Sequence, residues 1–190
     1  MIKFATWDGV PLFPGILLIL LYLLWIVAES KVAVSEIDMK KTSLDKGTLE
    51  MYAAARAITV ITALATSTIW NKSGIWIYAG ITLFIAAVVF RLYAIKMLGD
   101  LYSHRVRLKD EHKIIDTGPY KYVRHPAYTG MLLAHTGFVI FFFSIPAFLS
   151  LLILYLFVIV RILVEEKMLF SLDGYEAYSK NRKRLMPNVW

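Results

Sequence analysis

The fold of this chain is decided by residues 126–160, which read PAYTGMLLAHTGFVIFFFSIPAFLSLLILYLFVIV and contain no Asp, Glu, Lys or Arg. As a single helix these 35 residues would be about 52 Å long, whereas the hydrocarbon core of a bilayer is about 30 Å thick. Residues 144–146, Ser-Ile-Pro, lie near the middle, and proline both ends one helix and starts another well. The stretch therefore predicts two membrane helices, 128–143 and 146–163, that form an antiparallel hairpin.

Three earlier stretches, 10–28, 51–71 and 73–97, are also long and apolar enough to cross a membrane. The first is longer than the apolar part of a signal peptide, so we expect a retained helix. The sequence Asn-Lys-Ser-Gly at 71–74 predicts a tight turn that pairs the second and third spans as a hairpin. Together these patterns predict an all-α integral membrane protein with about five transmembrane helices in one domain, 1–190.

Composition supports this class and excludes several functions. The chain is 58% hydrophobic and 18% charged, a balance more apolar than that of soluble domains. It has no cysteine, which excludes disulfides, thiolate nucleophiles and Cys-based zinc sites, and we predict no metal. The net charge of +7 comes from residues that flank the apolar spans, so we expect contact with membrane lipid and not with nucleic acid.

The basic residues also predict the orientation in the membrane. With five spans, 29–50, 91–125 and the tail from 161 lie on one side, and these segments hold 18 of the 21 Lys and Arg residues. By the positive-inside rule that side is the cytosol, whether the membrane is a plasma, inner or endoplasmic-type membrane. Long ordered loops are usually functional, so any active site is expected where 91–125 meets the tail.

Three polar clusters lie at that edge of the chain. They are KDEHKIIDTGPY at 109–120, RHPAYTG at 124–130, and RILVEE at 161–166 with GYEAY at 174–178 and RLMP at 184–187. The predicted hairpin places the second and third clusters side by side. Each cluster has an ordinary structural explanation: an i,i+4 ion pair between Arg161 and Glu165, or a proline at a helix start. His135, within the fourth span, is expected to make a helix–helix hydrogen bond.

The combination of these motifs, in this order and spacing, resembles the isoprenylcysteine carboxyl methyltransferase family and its phospholipid methyltransferase relatives. The resemblance covers residues 75–187, and 1–70 adds two helices without a comparable signature. It implies an S-adenosylmethionine-dependent methyltransferase whose acceptor is a lipophilic small molecule or a prenylated cysteine. The cofactor pocket is implied to lie at the cytosolic edge and to use these residues: His112, Lys113, Ile114, Ile115, Tyr120, His125, Pro126, Ala127, Tyr128 and Glu165.

The same resemblance implies that Arg161 faces the acceptor carboxylate, and that Glu166 completes a catalytic pair with it. These roles agree with the chemistry. A carboxylate attracts the cationic end of the cofactor, and methyl transfer needs in-line positioning and exclusion of water more than it needs a metal or a covalent intermediate. A carboxylate acceptor is ionised at neutral pH and needs no base, whereas an amine must lose a proton to a group such as Glu166 or His125.

Several functions stay open at this point. A lipid amine N-methyltransferase or a small-thiol S-methyltransferase would use the same cofactor site. A membrane reductase would need NADPH, for which the chain is short. A non-catalytic membrane scaffold would give no reason for Arg-His-Pro and Glu-Glu to face each other. The sequence does not identify the acceptor, because acceptor specificity depends on apolar helix faces that look alike in sequence.

Overall fold

The computed structural model describes residues 12–34, 47–67, 74–102, 114–187 and 190. Apart from one bridge between Val123 and Lys183, the regular structure of these residues is helical. The helices, numbered here in chain order, are α1 Leu12–Val34, α2 Thr48–Thr66, α3 Gly74–Leu98, α4 Pro126–Phe141, α5 Ile145–Leu169 and the short α6 Tyr175–Lys180. Two single 3-10 turns, Gly99–Leu101 and Gly118–Lys121, flank the loop before α4.

The prediction of an all-helical membrane protein is confirmed, but the number of spans is not. Four of the described helices, α1, α2, α3 and α5, are long and apolar enough to cross a bilayer. Helix α4 has 16 residues, which gives about 24 Å at 1.5 Å per residue and falls short of a 30 Å core. It is nevertheless apolar, and most of its side chains are buried among the other helices.

The break between α4 and α5 lies where the sequence predicts it. Ser144 caps α5, because its hydroxyl accepts a hydrogen bond from the Ala147 N–H at 3.1 Å, and Pro146 occupies the first turn. Helix α5 then continues to Leu169 and not only to 163. It passes the end of the apolar run because the charged residues of its last turns pair with neighbouring elements.

Helix α4 packs most closely on α3. A Cβ atom added to Gly137 would lie 2.6 Å from the Phe84 nitrogen and 2.8 Å from the Gly80 carbonyl oxygen, so the two backbones touch. His135 lies on α4 at the same depth and shares a hydrogen bond with the Tyr22 hydroxyl of α1, with 3.3 Å between Oη and Nε2. Small residues on one side of α4 thus set its distance from α3.

Helix α2 packs mainly on α5, and the expected pairing of α2 with α3 is not the main contact of either helix. The Thr59 hydroxyl of α2 donates to the Ser150 carbonyl at 3.2 Å, and Ala55 and Ala63 are buried on the same face. That face of small residues permits close approach to α5 and explains the different partner. Residues 71–73 of the predicted turn lie outside the described residues.

Candidate functional site

Charged side chains gather where α1, α3 and α5 end and where α2 and α4 begin. We call this region the polar edge, and it includes Glu29, Arg91, Arg161, Glu165 and Glu166. These charges lie in the last two to three turns of α1, α3 and α5, whose other turns are mostly apolar.

A tyrosine of α4 joins two charged residues of α5. The Arg161 Nε donates to the Tyr128 hydroxyl at 2.8 Å, and that hydroxyl donates to the Glu165 Oε2 at 2.9 Å. Arg161 is 2% exposed, whereas the Glu165 side chain is 27% exposed. We call this chain of two hydrogen bonds, from Arg161 through Tyr128 to Glu165, the relay. Its guanidinium is buried and its carboxylate is partly exposed, so only the carboxylate is accessible from outside the helix bundle.

Helix α2 also contacts Arg161. The Arg161 Nη1 donates to the Thr48 hydroxyl at 3.1 Å, and its guanidinium carbon lies 5.5 Å from the centre of the Tyr52 ring. Sequence reasoning missed both residues, because α2 carries no motif of its own and a threonine at a helix start has many ordinary roles. The sequence around Thr48 and Tyr52 holds no signal that separates these two from ordinary helix residues.

Glu166 has a different environment from its neighbour Glu165. Its Oε1 lies 3.2 Å from the His125 Nε2 and 2.8 Å from the Arg124 Nη1, and its Oε2 accepts from the Arg184 Nε at 2.8 Å. Glu166 is 3% exposed. With three partners in this closed setting, its carboxylate holds α4, α5 and the tail together.

The tail docks on the start of α4 through its backbone. The Arg124 and His125 N–H groups donate to the carbonyls of Lys183 and Arg184, each at 2.9 Å. The Thr129 hydroxyl donates to the Leu185 carbonyl at 2.7 Å. The motifs 124–130 and 184–187, about sixty residues apart in sequence, are thus parts of one surface.

The remaining residues of the predicted cofactor pocket lie partly within the described chain. His112 and Lys113 lie outside the described residues, and Ile114 and Ile115 are half-buried. Tyr120 is buried against Ala127, with Ile115 beside them, and its carbonyl accepts from the Tyr178 hydroxyl at 2.9 Å. Burial, together with the nearby Glu165 carboxylate, holds the pKa of Tyr120 well above its usual value, so this phenol stays neutral.

Two polar atoms near Glu166 have no hydrogen-bond partner within the part of the chain that the structure describes. They are the Arg124 Nε and the Tyr175 hydroxyl, and both are buried. Unpaired buried donors are costly and are commonly satisfied by a ligand or by water. The same described residues contain no group of His, Asp and Glu side chains arranged to hold a metal ion.

An apolar cavity of about 650 Å³ lies between α1 and α2, and its lining includes none of Tyr128, Arg161 and Glu165. Its walls are mostly aliphatic, and Glu29, Ser30 and Arg56 mark its polar end. Leu49, which lines it, directly follows Thr48, the contact of Arg161. The size is that of a small-molecule pocket, and the lining suits a hydrocarbon chain.

The fold and the polar edge define an integral membrane protein of the helical class with a candidate site at one end of its bundle. A family model described as "Isoprenylcysteine carboxyl methyltransferase (ICMT) family" matches residues 78–171. This range includes most of α3 and the whole of α4 and α5. Residues 78–171 of the chain thus belong to the isoprenylcysteine carboxyl methyltransferase family.

Curated relatives agree with that assignment. A rice protein (Oryza sativa subsp. indica) named "Probable protein-S-isoprenylcysteine O-methyltransferase" is 36% identical over 62 residues, which are 32% of either chain. "Protein-S-isoprenylcysteine O-methyltransferase B" of Arabidopsis thaliana is 32% identical over 91 residues, which are 45% of this chain and 46% of that protein. The match thus spans a third to a half of the length of these relatives.

Proposed function

We propose that this protein is an S-adenosylmethionine-dependent membrane methyltransferase that esterifies the carboxylate of an isoprenylated cysteine or a similar lipophilic acid. The observation that carries the proposal is the relay from Arg161 through Tyr128 to Glu165. It offers a partly exposed anion for a cationic cofactor and, one helical turn earlier in α5, a buried cation for an anionic acceptor. The family and the names of the relatives support the same chemistry.

The residues at the edge fit the cofactor. S-Adenosylmethionine, when bound, supplies a methyl group on a cationic sulfonium for in-line displacement. Glu165 is a partly exposed carboxylate that suits this cationic end, and Tyr120 and Ile115 give an apolar wall beside it. The buried Arg124 Nε and Tyr175 hydroxyl are donors without a partner among the described residues, so a polar ligand has groups to satisfy.

The acceptor is assigned to the deeper end of the relay. Arg161 lies one turn before Glu165 on α5, about 6 Å further into the membrane at 1.5 Å per residue. A guanidinium recognises a carboxylate well, and a carboxylate with a reference pKa of about 4 is already ionised at neutral pH. The protein then has to orient the acceptor and exclude water, and no side chain has to remove a proton.

Two further features support a lipophilic acid. The cavity between α1 and α2 offers room for a hydrocarbon tail close to Thr48 and Tyr52, on the cytosolic half of the bilayer in the proposed orientation. An amine acceptor would need a base, but the Glu166 carboxylate is held by His125, Arg124 and Arg184. This engagement favours a carboxylate acceptor over a lipid amine.

The test uses the purified protein in lipid nanodiscs. Calorimetry with S-adenosylmethionine is expected to show binding to one site. Transfer of a labelled methyl group is expected to an S-farnesylated cysteine with a free carboxylate, and not to phosphatidylethanolamine or a small thiol. Methylation of the amine or the thiol instead would change the acceptor class, and absence of cofactor binding would favour a non-catalytic membrane protein.

A further inference from the structure

A second charged cluster within the polar edge joins three helices. Glu29 of α1 is 5% exposed, and its carboxylate accepts from the Arg91 Nε of α3 and, at 3.2 Å, from the Arg56 Nη1 of α2. The Trp25 ring lies 4.9 Å from the Arg56 guanidinium and 5.9 Å from that of Arg91. None of these three charges belongs to the relay of Tyr128.

Arg91 connects this cluster to the start of α4. Its Nη1 donates to the Ala127 carbonyl at 2.7 Å, and its Nη2 donates to the Tyr102 hydroxyl at 3.3 Å. Ala127 lies in the first turn of α4, between His125 and Tyr128. A hydrogen bond from a charged donor is about twice as strong as one between neutral groups, so Arg91 fixes this turn firmly.

The backbone of α3 reinforces that contact. A Cβ atom added to Gly130 would lie 2.7 Å from the Arg91 Cβ and 2.9 Å from the Arg91 Cα. The first turn of α4, from His125 to Gly130, therefore packs directly against Arg91, and a shift of Arg91 would displace this turn. A guanidinium buried this deeply needs a paired anion, and Glu29 supplies one.

We propose that Glu29 is a positioning residue for the cofactor site. It holds the Arg91 guanidinium in the orientation that binds the Ala127 carbonyl, and so fixes His125 and Tyr128 against the cofactor. This inference rests on the proposed function. Glu29 lies before residues 78–171, the region that matches the family model, so an additional helix completes the site.

The test compares two substitutions on α1. Glu29→Gln removes the charge that orients Arg91. Tyr22→Phe is the matched control, because the Tyr22 hydroxyl also joins α1 to α4, at His135, two turns deeper in the helix. Both variants are expected to lower the Tm. Only Glu29→Gln is expected to raise the Kd of S-adenosylmethionine, by roughly tenfold, which is the effect of one charge-assisted hydrogen bond.

A solely structural role for the cluster predicts a lower Tm and an unchanged Kd in the folded fraction, and that result would overturn the inference. If Glu29→Gln does not fold, Arg91→Lys provides the test, because it keeps a cation opposite Glu29 but loses the guanidinium fork that reaches Ala127. Arg91→Lys is likewise expected to weaken cofactor binding. A wild-type protein that does not bind S-adenosylmethionine would overturn the proposed function itself, whereas equal Kd values in wild type and variants would overturn only the role of Glu29.

Discussion

The part of the chain that matches the family and the two helices before it are packed by different means. Helices α3 and α4 meet backbone to backbone at Gly80 and Gly137, where no side chain could be inserted. Helices α1 and α2 are separated by the apolar cavity and meet at the ion pair between Glu29 and Arg56. We call α3, α4 and α5 the frame. Helix α2 packs on the frame through small residues, and both α1 and α2 reach its charged groups through a few polar side chains.

Those polar side chains reach the two buried arginines of the frame. Glu29 of α1 contacts Arg91, and Thr48 and Tyr52 of α2 contact Arg161. The frame supplies the charged groups, and the preceding helices fix their orientation. Substitutions in the frame should thus remove binding or turnover, whereas substitutions in α2 should adjust them.

The largest effect is expected for Arg161→Lys in the frame. Lysine keeps the positive charge but loses the planar fork that contacts Tyr128 and Thr48 at once. We expect kcat to fall roughly a hundredfold, as for a misplacement of about 1 Å, with cofactor affinity nearly intact. Turnover and calorimetry on the same preparation measure both. Near-normal turnover would remove Arg161 from the acceptor site, and a parallel loss of cofactor affinity would show that it serves the cofactor side.

The next effect is expected for Glu165→Gln, also in the frame. A carboxylate that contacts a cationic ligand is worth roughly 1.5–3 kcal/mol, so the Kd of S-adenosylmethionine should rise about ten- to a hundredfold. Glu176→Gln is the control, because Glu176 lies on α6 with a side chain that is 74% exposed and pairs with Lys180. Calorimetry should show an unchanged Kd for that control. Unchanged binding in a folded Glu165→Gln variant would place Glu165 outside the pocket.

The smallest effect is expected for Thr48→Val in α2, which removes one neutral hydroxyl from Arg161 without changing the shape of the side chain. A hydrogen bond from a charged donor is worth about 1.5 kcal/mol at the low end, so the acceptor KM should rise roughly tenfold. Thr62→Val is the control, because the exposed Thr62 hydroxyl donates only within its own helix, to the Ile58 carbonyl. An effect of Thr48→Val as large as that of Arg161→Lys would contradict the expectation that substitutions in α2 change binding or turnover less than substitutions in the frame.

The sequence predicted the helices better than their partners. The apolar run at 126–160 and its Ser-Ile-Pro interruption predicted the break between α4 and α5, because length and proline geometry are local properties. The pairing of α2 with α5 depends on the small residues Ala55, Thr59 and Ala63. Small residues indicate that a helix face is closely packed, but they do not indicate which helix packs against it. The end of α5 was predicted too early, at 163 instead of Leu169. Charged residues after an apolar run usually mark the end of a membrane helix, and the sequence does not show that Glu166 has buried partners.

The candidate site shows the same limit. The order of the motifs indicated that 124–130 and 161–166 lie together, but the different roles predicted for Glu165 and Glu166 came from the family resemblance alone. These neighbours point about 100° apart on a helix, and only the structure shows one carboxylate partly exposed and the other enclosed by Arg124 and Arg184. Glu29 was missed because an acidic residue at the end of a span usually anchors it at the interface.

The docking of the tail has a consequence for the order of biosynthesis. The carbonyls of Lys183, Arg184 and Leu185 complete the surface that begins at Arg124, and the ribosome makes them after every residue of α1 to α5. All of α1 to α5 is therefore synthesised before this surface can form. A chain stopped before Lys183 would contain all five helices but would lack the carbonyls that pair with the Arg124 and His125 N–H groups.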